Sequence, residues 1–286
     1  MVPIGVSTWL WHSPLDDAAL AACARRVADW GFDVLELPVE NPGDWDPDAA
    51  RTVLDDCGLG ATVCLVMPPG RELVDTDDAT RTATQDYLRH VVDVAHTVGA
   101  DAIGGPAYAS VGRTWPMDDT QRADALAEWA EAIAPVADHA RQAGVRIAVE
   151  PLNRYETSFL TTIDQALEAM APLPVESVGV LLDTYHMNIE ESDPVAAIHR
   201  AGDRIAHVQV CANDRGTPGH DHLDWPALLG ALQEVGWSGP LCIESFTPDN
   251  ETIATAASIW RPLAPTQDAI AVDGLAFLRG VVPGPP

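Results

Sequence analysis

The chain has 286 residues, is 47% hydrophobic, and carries 43 acidic against 16 basic residues, for a net charge of −27 and a pI near 4.3. That apolar content supports a sizeable core and argues against disorder, while so acidic a surface repels phosphate backbones and anionic membranes. Every basic residue is arginine, which removes Schiff-base chemistry on a lysine and a P-loop lysine.

Strand-like and helix-like segments alternate from the start. Ile4–Thr8 reads as a first strand, and Asp16–Trp30 as a helix stopped by Gly31. Val34–Leu37 and Pro47–Cys57 form the next pair, with proline suited to the first helical turn. Ala61–Met67 precedes a long helix, Thr76–Val98, and Ala102–Gly105 precedes another, Thr120–Ala143, in which Pro135 predicts a kink. Four further apolar runs follow: Arg146–Glu150, Val178–Asp183, Ile205–Gln209 and Leu241–Glu244. Helices are expected between them at Thr162–Met170, Pro194–Ala201 and Pro226–Val235, and after them at Thr252–Arg261 and Asp268–Leu278. Continuous rather than alternating apolar runs mark buried parallel strands. Eight strand–helix units point to a single-domain (β/α)8 TIM barrel over residues 1–281, with 282–286 as a frayed tail. No G-x-G-x-x-G follows the first strand, which disfavours an open dinucleotide-binding sheet.

The five cysteines are odd in number and contain no C-x-x-C, so neither a disulfide framework nor a zinc ribbon is signalled. Reduced thiols, no secretory signal at the N-terminus and no membrane-length apolar run predict a cytoplasmic protein.

The last four strands each end in a side-chain oxygen donor: Glu150, Asp183, Gln209 and Glu244. Three carboxylates and an amide converging at one barrel mouth would repel each other without a cation. A divalent metal site at the C-terminal rim is the economical reading. An all-oxygen donor set favours Mn²⁺ or Mg²⁺ over Zn²⁺, with Co²⁺ a further candidate. Glu150 and Glu244 approach the mouth from different sides. A planar intermediate between them would have a carboxylate on each face, so one could remove a proton from carbon and the other return it. The metal would polarise a carbonyl and steady the enediolate. His207, two residues before Gln209, is a rival ligand or a donor behind the ligands. His186 is placed to donate to a substrate oxygen, and Arg215 to hold hydroxyl or carboxylate oxygens. Tyr155 and Glu156 are candidates for the same task. Trp9, Trp11, Trp115 and Phe246 are candidates for an apolar wall. The Pro106–Asp119 loop, with Tyr108, Arg113 and Trp115, is long enough to carry function. His220, Asp221 and His222 read as a solvated loop rather than a second metal site.

Val149-Glu-Pro-Leu-Asn-Arg-Tyr-Glu156, Leu182-Asp-Thr-Tyr-His-Met-Asn-Ile-Glu-Glu191, the Asn213–Gly219 loop and Ile243-Glu-Ser-Phe246 resemble the ketose 3-epimerases. These are the D-tagatose and D-allulose (psicose) 3-epimerases of the xylose-isomerase-like barrels. The resemblance spans nearly the whole chain. It implies that Glu150, Asp183 and Glu244 ligate a metal, that Glu150 and Glu244 are the acid/base pair, and that Glu156, His186 and Arg215 bind substrate oxygens. It also implies a homodimer or homotetramer. The family usually has histidine where this chain has Gln209. Hydroxypyruvate isomerase-like members carry a similar His-x-Gln strand. C3 epimerisation of a free ketose is therefore the leading expectation. Keto-acid or keto-glycoside isomerase or lyase chemistry, and an accessory subunit with a weakened metal site, remain alternatives. An endonuclease IV-like role needs more histidines and a basic surface.

Overall fold

The computed structural model describes residues 2–282; of the expected tail at 282–286, residues 283–286 lie outside them. Eight parallel strands close in chain order, β1 (Ile4–Ser7), β2 (Val34–Val39), β3 (Gly60–Leu65), β4 (Ala102–Gly105), β5 (Arg146–Val149), β6 (Val178–Asp183), β7 (Ile205–Val210) and β8 (Leu241–Ile243). The ring closes where Ile4–Val6 pair with Leu241–Ile243. Around it lie α1 (Asp17–Trp30), α2 (Pro47–Cys57), α3 (Asp78–Val98), α4 (Asp119–Ala143), α5 (Ile163–Met170), α6 (Thr184–Glu190), α7 (Pro194–Ala201), α8 (Trp225–Glu234), α9 (Glu251–Ala256) and α10 (Gln267–Val281). This is the TIM barrel that the strand–helix alternation predicts.

The acid surplus has local uses. Asp16, Asp46, Asp77, Asp118, Asp193 and Asp224 each cap a helix by accepting from a backbone N–H in its first turn. Gly31, Gly58, Gly99 and Gly144 end α1 to α4 in the left-handed conformation. These signals explain why the early helix boundaries follow the sequence pattern so closely.

α4 is one continuous helix through Pro135. Three other readings are corrected. The helix expected at Thr252–Arg261 stops at Ala256, leaving Trp260 73% exposed. α6 is an element that the sequence pattern does not announce; Asp183 caps it by accepting from the Tyr185 N–H at 2.7 Å. β1 ends at Ser7, whose hydroxyl accepts from Trp9 N–H and turns the chain into a short 3₁₀ turn at Thr8–Leu10.

Strand ends place the site. β5 and β8 stop one residue before Glu150 and Glu244, while β6 and β7 carry Asp183 and Gln209 in register with each other. All four therefore emerge at the C-terminal end of the barrel. Inside the barrel, Gly104 leaves room for its neighbours: a Cβ there would lie 2.7 Å from Leu181 and 3.3 Å from the His207 ring.

Candidate active site

A cavity of about 510 Å³ opens at this end, with Glu150, Glu156, His186, Gln209, Arg215, Glu244, Tyr155 and Phe246 among its lining residues. The structure thus brings together most of the side chains expected from sequence. Apolar side chains also line it, among them Trp9, Val66, Met67, Leu152 and Ile253. Trp115 is a correction. It does not line the cavity; it stacks on Phe159 at 6.2 Å with Arg113 above it. Arg113 is itself held by Glu72 and Asp75. Trp11 is likewise outside, donating to Asp268. Tyr108 is buried and donates to the Glu150 carbonyl at 2.9 Å, which anchors the backbone of a key acid. His220 and His222 are exposed, and Asp221 accepts from Trp225 Nε1 at 3.0 Å, as suits a solvated loop.

A cation already stands among the acids. Arg215 Nη1 donates to Asp183 Oδ2 and, at 2.8 Å, to Glu244 Oε2. Arg215 is buried, between the rings of Tyr185 at 4.5 Å and Phe246 at 5.1 Å. Its φ of 69° is unusual for a residue with a side chain. The Ala212 carbonyl accepts from its N–H, and Ser245 donates to its carbonyl, so the surrounding turn imposes this conformation and aims the side chain inward. The repulsion anticipated from sequence is therefore relieved in part by this arginine.

Electrostatics separate the acids. Burial raises the Glu150 carboxyl well above the usual range, and the charges of Glu244 and Asp183 push it further. Burial lifts Glu244 to about 8; Asp183 and Glu36 add to the rise and Arg215 opposes it. For Asp183, burial also pulls upward, but the Arg215 charge, together with the Tyr185 N–H, outweighs it and holds this carboxyl below its ordinary value. Burial, then Arg215, pushes His186 down to about 3, so its ring is neutral. The Asn153 backbone N–H donates to His186 Nδ1 at 2.9 Å. The ring's Nε2 lies 3.0 Å from Arg215 Nη2, which can only donate, and 3.4 Å from Glu150 Oε1. Asn153 Nδ2 also donates to Glu156 Oε1 at 2.6 Å, tying Glu156 to the same loop.

Two buried oxygens at the site lack a hydrogen-bond donor: Glu150 Oε1 and Gln209 Oε1. One oxygen or nitrogen each from Glu150, Asp183 and His186 lies within 4.8 Å of the others, a spacing that a metal ion could bridge. Unpaired oxygens beside crowded carboxylates suit a hard divalent cation, so the residues fit such a group.

One residue escaped the reading of strand ends. Glu36, in the middle of β2, is fully buried beneath the cavity. It accepts from His207 Nε2 at 2.6 Å, Gln209 Nε2 at 3.0 Å and Thr62 Oγ1 at 3.2 Å. The signal is there in the sequence: a lone carboxylate inside the apolar run of β2 demands partners as much as one at a strand end. His207 does not line the cavity; it lies behind Gln209.

Residues 24–280 match the family model described as xylose isomerase-like TIM barrel. A protein named "Probable ketose 3-epimerase" from Synechocystis sp. is 32% identical over 280 residues, covering 97% of this chain and 96% of that one. A solved L-ribulose 3-epimerase superposes with TM-score 0.91 at 28% identity, covering 99% and 95% of the two chains. D-allulose 3-epimerase from Methylomonas sp., solved with D-allulose, gives TM-score 0.89 at 26% identity, covering 98% and 97%.

Proposed function

We propose that this chain, which belongs to the xylose isomerase-like TIM-barrel family and within it to the ketose 3-epimerases, inverts C3 of a free ketose. The observation that carries the reading is the pair Glu150 and Glu244. They leave β5 and β8 to face one cavity, with both carboxyls raised chiefly by burial, that of Glu244 to about 8. A carboxyl that exchanges protons near pH 7 is what acid–base chemistry at carbon requires. In the ionised form one glutamate takes the C3 proton; in the protonated form the other delivers one to the opposite face. The two exchange roles in the reverse direction. Arg215 is a donor for the hydroxyl and carbonyl oxygens beside C3, His186 lies beside it at the same oxygens, and Glu156 accepts from a hydroxyl. The apolar wall of Trp9, Val66, Met67 and Phe246 takes the rest of the sugar and limits water.

Glu150, Asp183, Glu244 and the Gln209 amide oxygen would hold a divalent cation, Mn²⁺ or Mg²⁺ by their hardness, with Co²⁺ a further candidate. When bound, the cation supplies polarisation of the ketose carbonyl, which acidifies C3–H. By the family likeness the protein is also expected to work as a homodimer or homotetramer, which light scattering on the eluted protein tests. Among the described residues no helix is long and apolar enough to cross a membrane.

The test is proton exchange followed by NMR. Purified protein with Mn²⁺ or Mg²⁺ is incubated in D₂O with a panel of ketopentoses and ketohexoses. Deuterium at C3 with a new epimer, lost in Glu150→Gln and Glu244→Gln, is expected. No deuterium at C3 with any ketose refutes the proposal. Gln209 and the cavity volume favour one second reading, chemistry on a keto-glycoside; turnover of a 3-keto-glycoside with silence on free ketoses would select it.

A further inference from the structure

A glutamine amide is nearly symmetric in shape: exchanging oxygen and nitrogen barely changes its packing. Only hydrogen bonding decides which atom faces which way. At Gln209 the decision is made by two carboxylates. Nε2 lies 3.0 Å from Glu36 Oε1 and 2.9 Å from Glu244 Oε1, with Cys64 Sγ at 3.5 Å. Reversing the amide would set its oxygen against two acceptors, so the nitrogen must face them. The consequence falls on the other atom. Gln209 Oε1 is buried without a donor, although its residue lines the cavity.

Glu36 is itself fixed. It stands on β2, across the barrel from β7, and both His207 Nε2 at 2.6 Å and Thr62 Oγ1 at 3.2 Å donate to its Oε2. That leaves Oε1 for the Gln209 amide. A buried carboxylate is unfavourable unless its lone pairs are satisfied, and an apolar side chain would fill this layer of the barrel more cheaply. Orienting the amide gives the charge a purpose.

We propose that Glu36 is a positioning residue: locked by His207 and Thr62, it captures the Gln209 amide nitrogen and leaves Oε1 as a neutral oxygen donor for a divalent cation. The inference rests on the metal reading of this site. It accounts for glutamine on this strand without loss of the site: the amide carries no charge of its own to aim it, and Glu36 supplies the orientation.

The test is a binding cycle without turnover. Mn²⁺ affinity is measured by electron paramagnetic resonance of the free ion for wild type, Glu36→Gln, Gln209→Leu and the double variant. Partners behind metal ligands commonly contribute about 10–100-fold in affinity. Glu36→Gln should weaken Mn²⁺ binding by at least about 10-fold, because the neutral amide of that variant presents either an oxygen or a nitrogen to Gln209 and no longer dictates its orientation. Gln209→Leu should weaken it as much or more, and the double variant should match Gln209→Leu alone. Full additivity in the double variant, or unchanged affinity in Glu36→Gln, overturns the proposal while leaving the metal reading in place. A wild-type protein that binds no Mn²⁺ overturns both.

The wild type gives a second measurement, independent of whether Glu36→Gln folds. The side-chain NH₂ hydrogens of Gln209, assigned by their loss in Gln209→Leu, should exchange slowly with water. They should stay protected when Mg²⁺ is added, while the side-chain carbonyl carbon shifts. Rapid exchange, or a carbonyl carbon indifferent to Mg²⁺, overturns the proposal.

Discussion

Replacing Glu244 by glutamine should make the metal-free protein relatively more stable as pH rises. In the folded protein this carboxyl is raised from 4.5 to about 8, chiefly by burial, with Asp183 and Glu36 adding repulsion and Arg215 opposing it. Between those two values the native state holds the proton and the unfolded chain has released it. Stability therefore falls as pH rises. The contribution is fully present below 4.5 and gone above 8. At about 1.4 kcal/mol per pH unit, the window amounts to roughly 5 kcal/mol. Glutamine does not titrate, so the stability of Glu244→Gln relative to wild type should climb by that amount across the window. At about 2 °C per kcal/mol for a chain of this size, the difference in Tm should move by about 10 °C. Circular dichroism melts in EDTA at pH 5, 6, 7 and 8 measure it. The comparison between variants cancels the general effect of the chain's negative charge. A Tm difference that stays constant within about 2 °C over this range would refute the electrostatic argument.

His186 should not titrate between pH 5 and 8 in the metal-free protein, because burial and Arg215 hold it near 3; an inflection near pH 6.5 in its ring proton shifts would contradict this. Trp129 is fully buried and donates to the Ala107 carbonyl at 2.9 Å, so Trp129→Phe should cost about 2–4 kcal/mol in urea unfolding through lost volume and an orphaned acceptor. A loss below about 0.5 kcal/mol would speak against that packing. Gly105 has φ 139°, a Cβ there would lie 3.0 Å from the Leu65 carbonyl, and its own carbonyl accepts from Glu150 N–H. Gly105→Ala should therefore lose about 1–3 kcal/mol and most C3 proton exchange; intact exchange would show that Glu150 keeps its place. Raising salt from about 0.05 to 0.5 M should raise the Tm, since a net charge of −27 repels itself most at low ionic strength; a flat or falling Tm would refute this.

The barrel was legible because its signals are local. Continuous apolar runs mark strands buried on both faces, aspartates at first helical turns and glycines at last turns mark helix ends, and strand-end oxygens mark the rim. Glu150, Asp183, Gln209, Glu244, His186 and Arg215 were all named from such patterns and do share one end of the fold. Trp115 was misplaced because an aromatic on a long loop has no local signal for the ring it will choose, and it chose Phe159. The role of Arg215 as counter-ion to Asp183 and Glu244 depends on a left-handed backbone angle set by its turn and by Ser245, which the residue type alone disfavours. Glu36 is the clearest case of what sequence withholds. Its partners His207 and Gln209 are 171 and 173 residues away in the chain and reach it only across the closed interior of the barrel. Local chemistry fixes which segments become strands and where each one ends. Barrel closure alone decides which inward-facing side chains of opposite strands meet, because that depends on the stagger of all eight strands together.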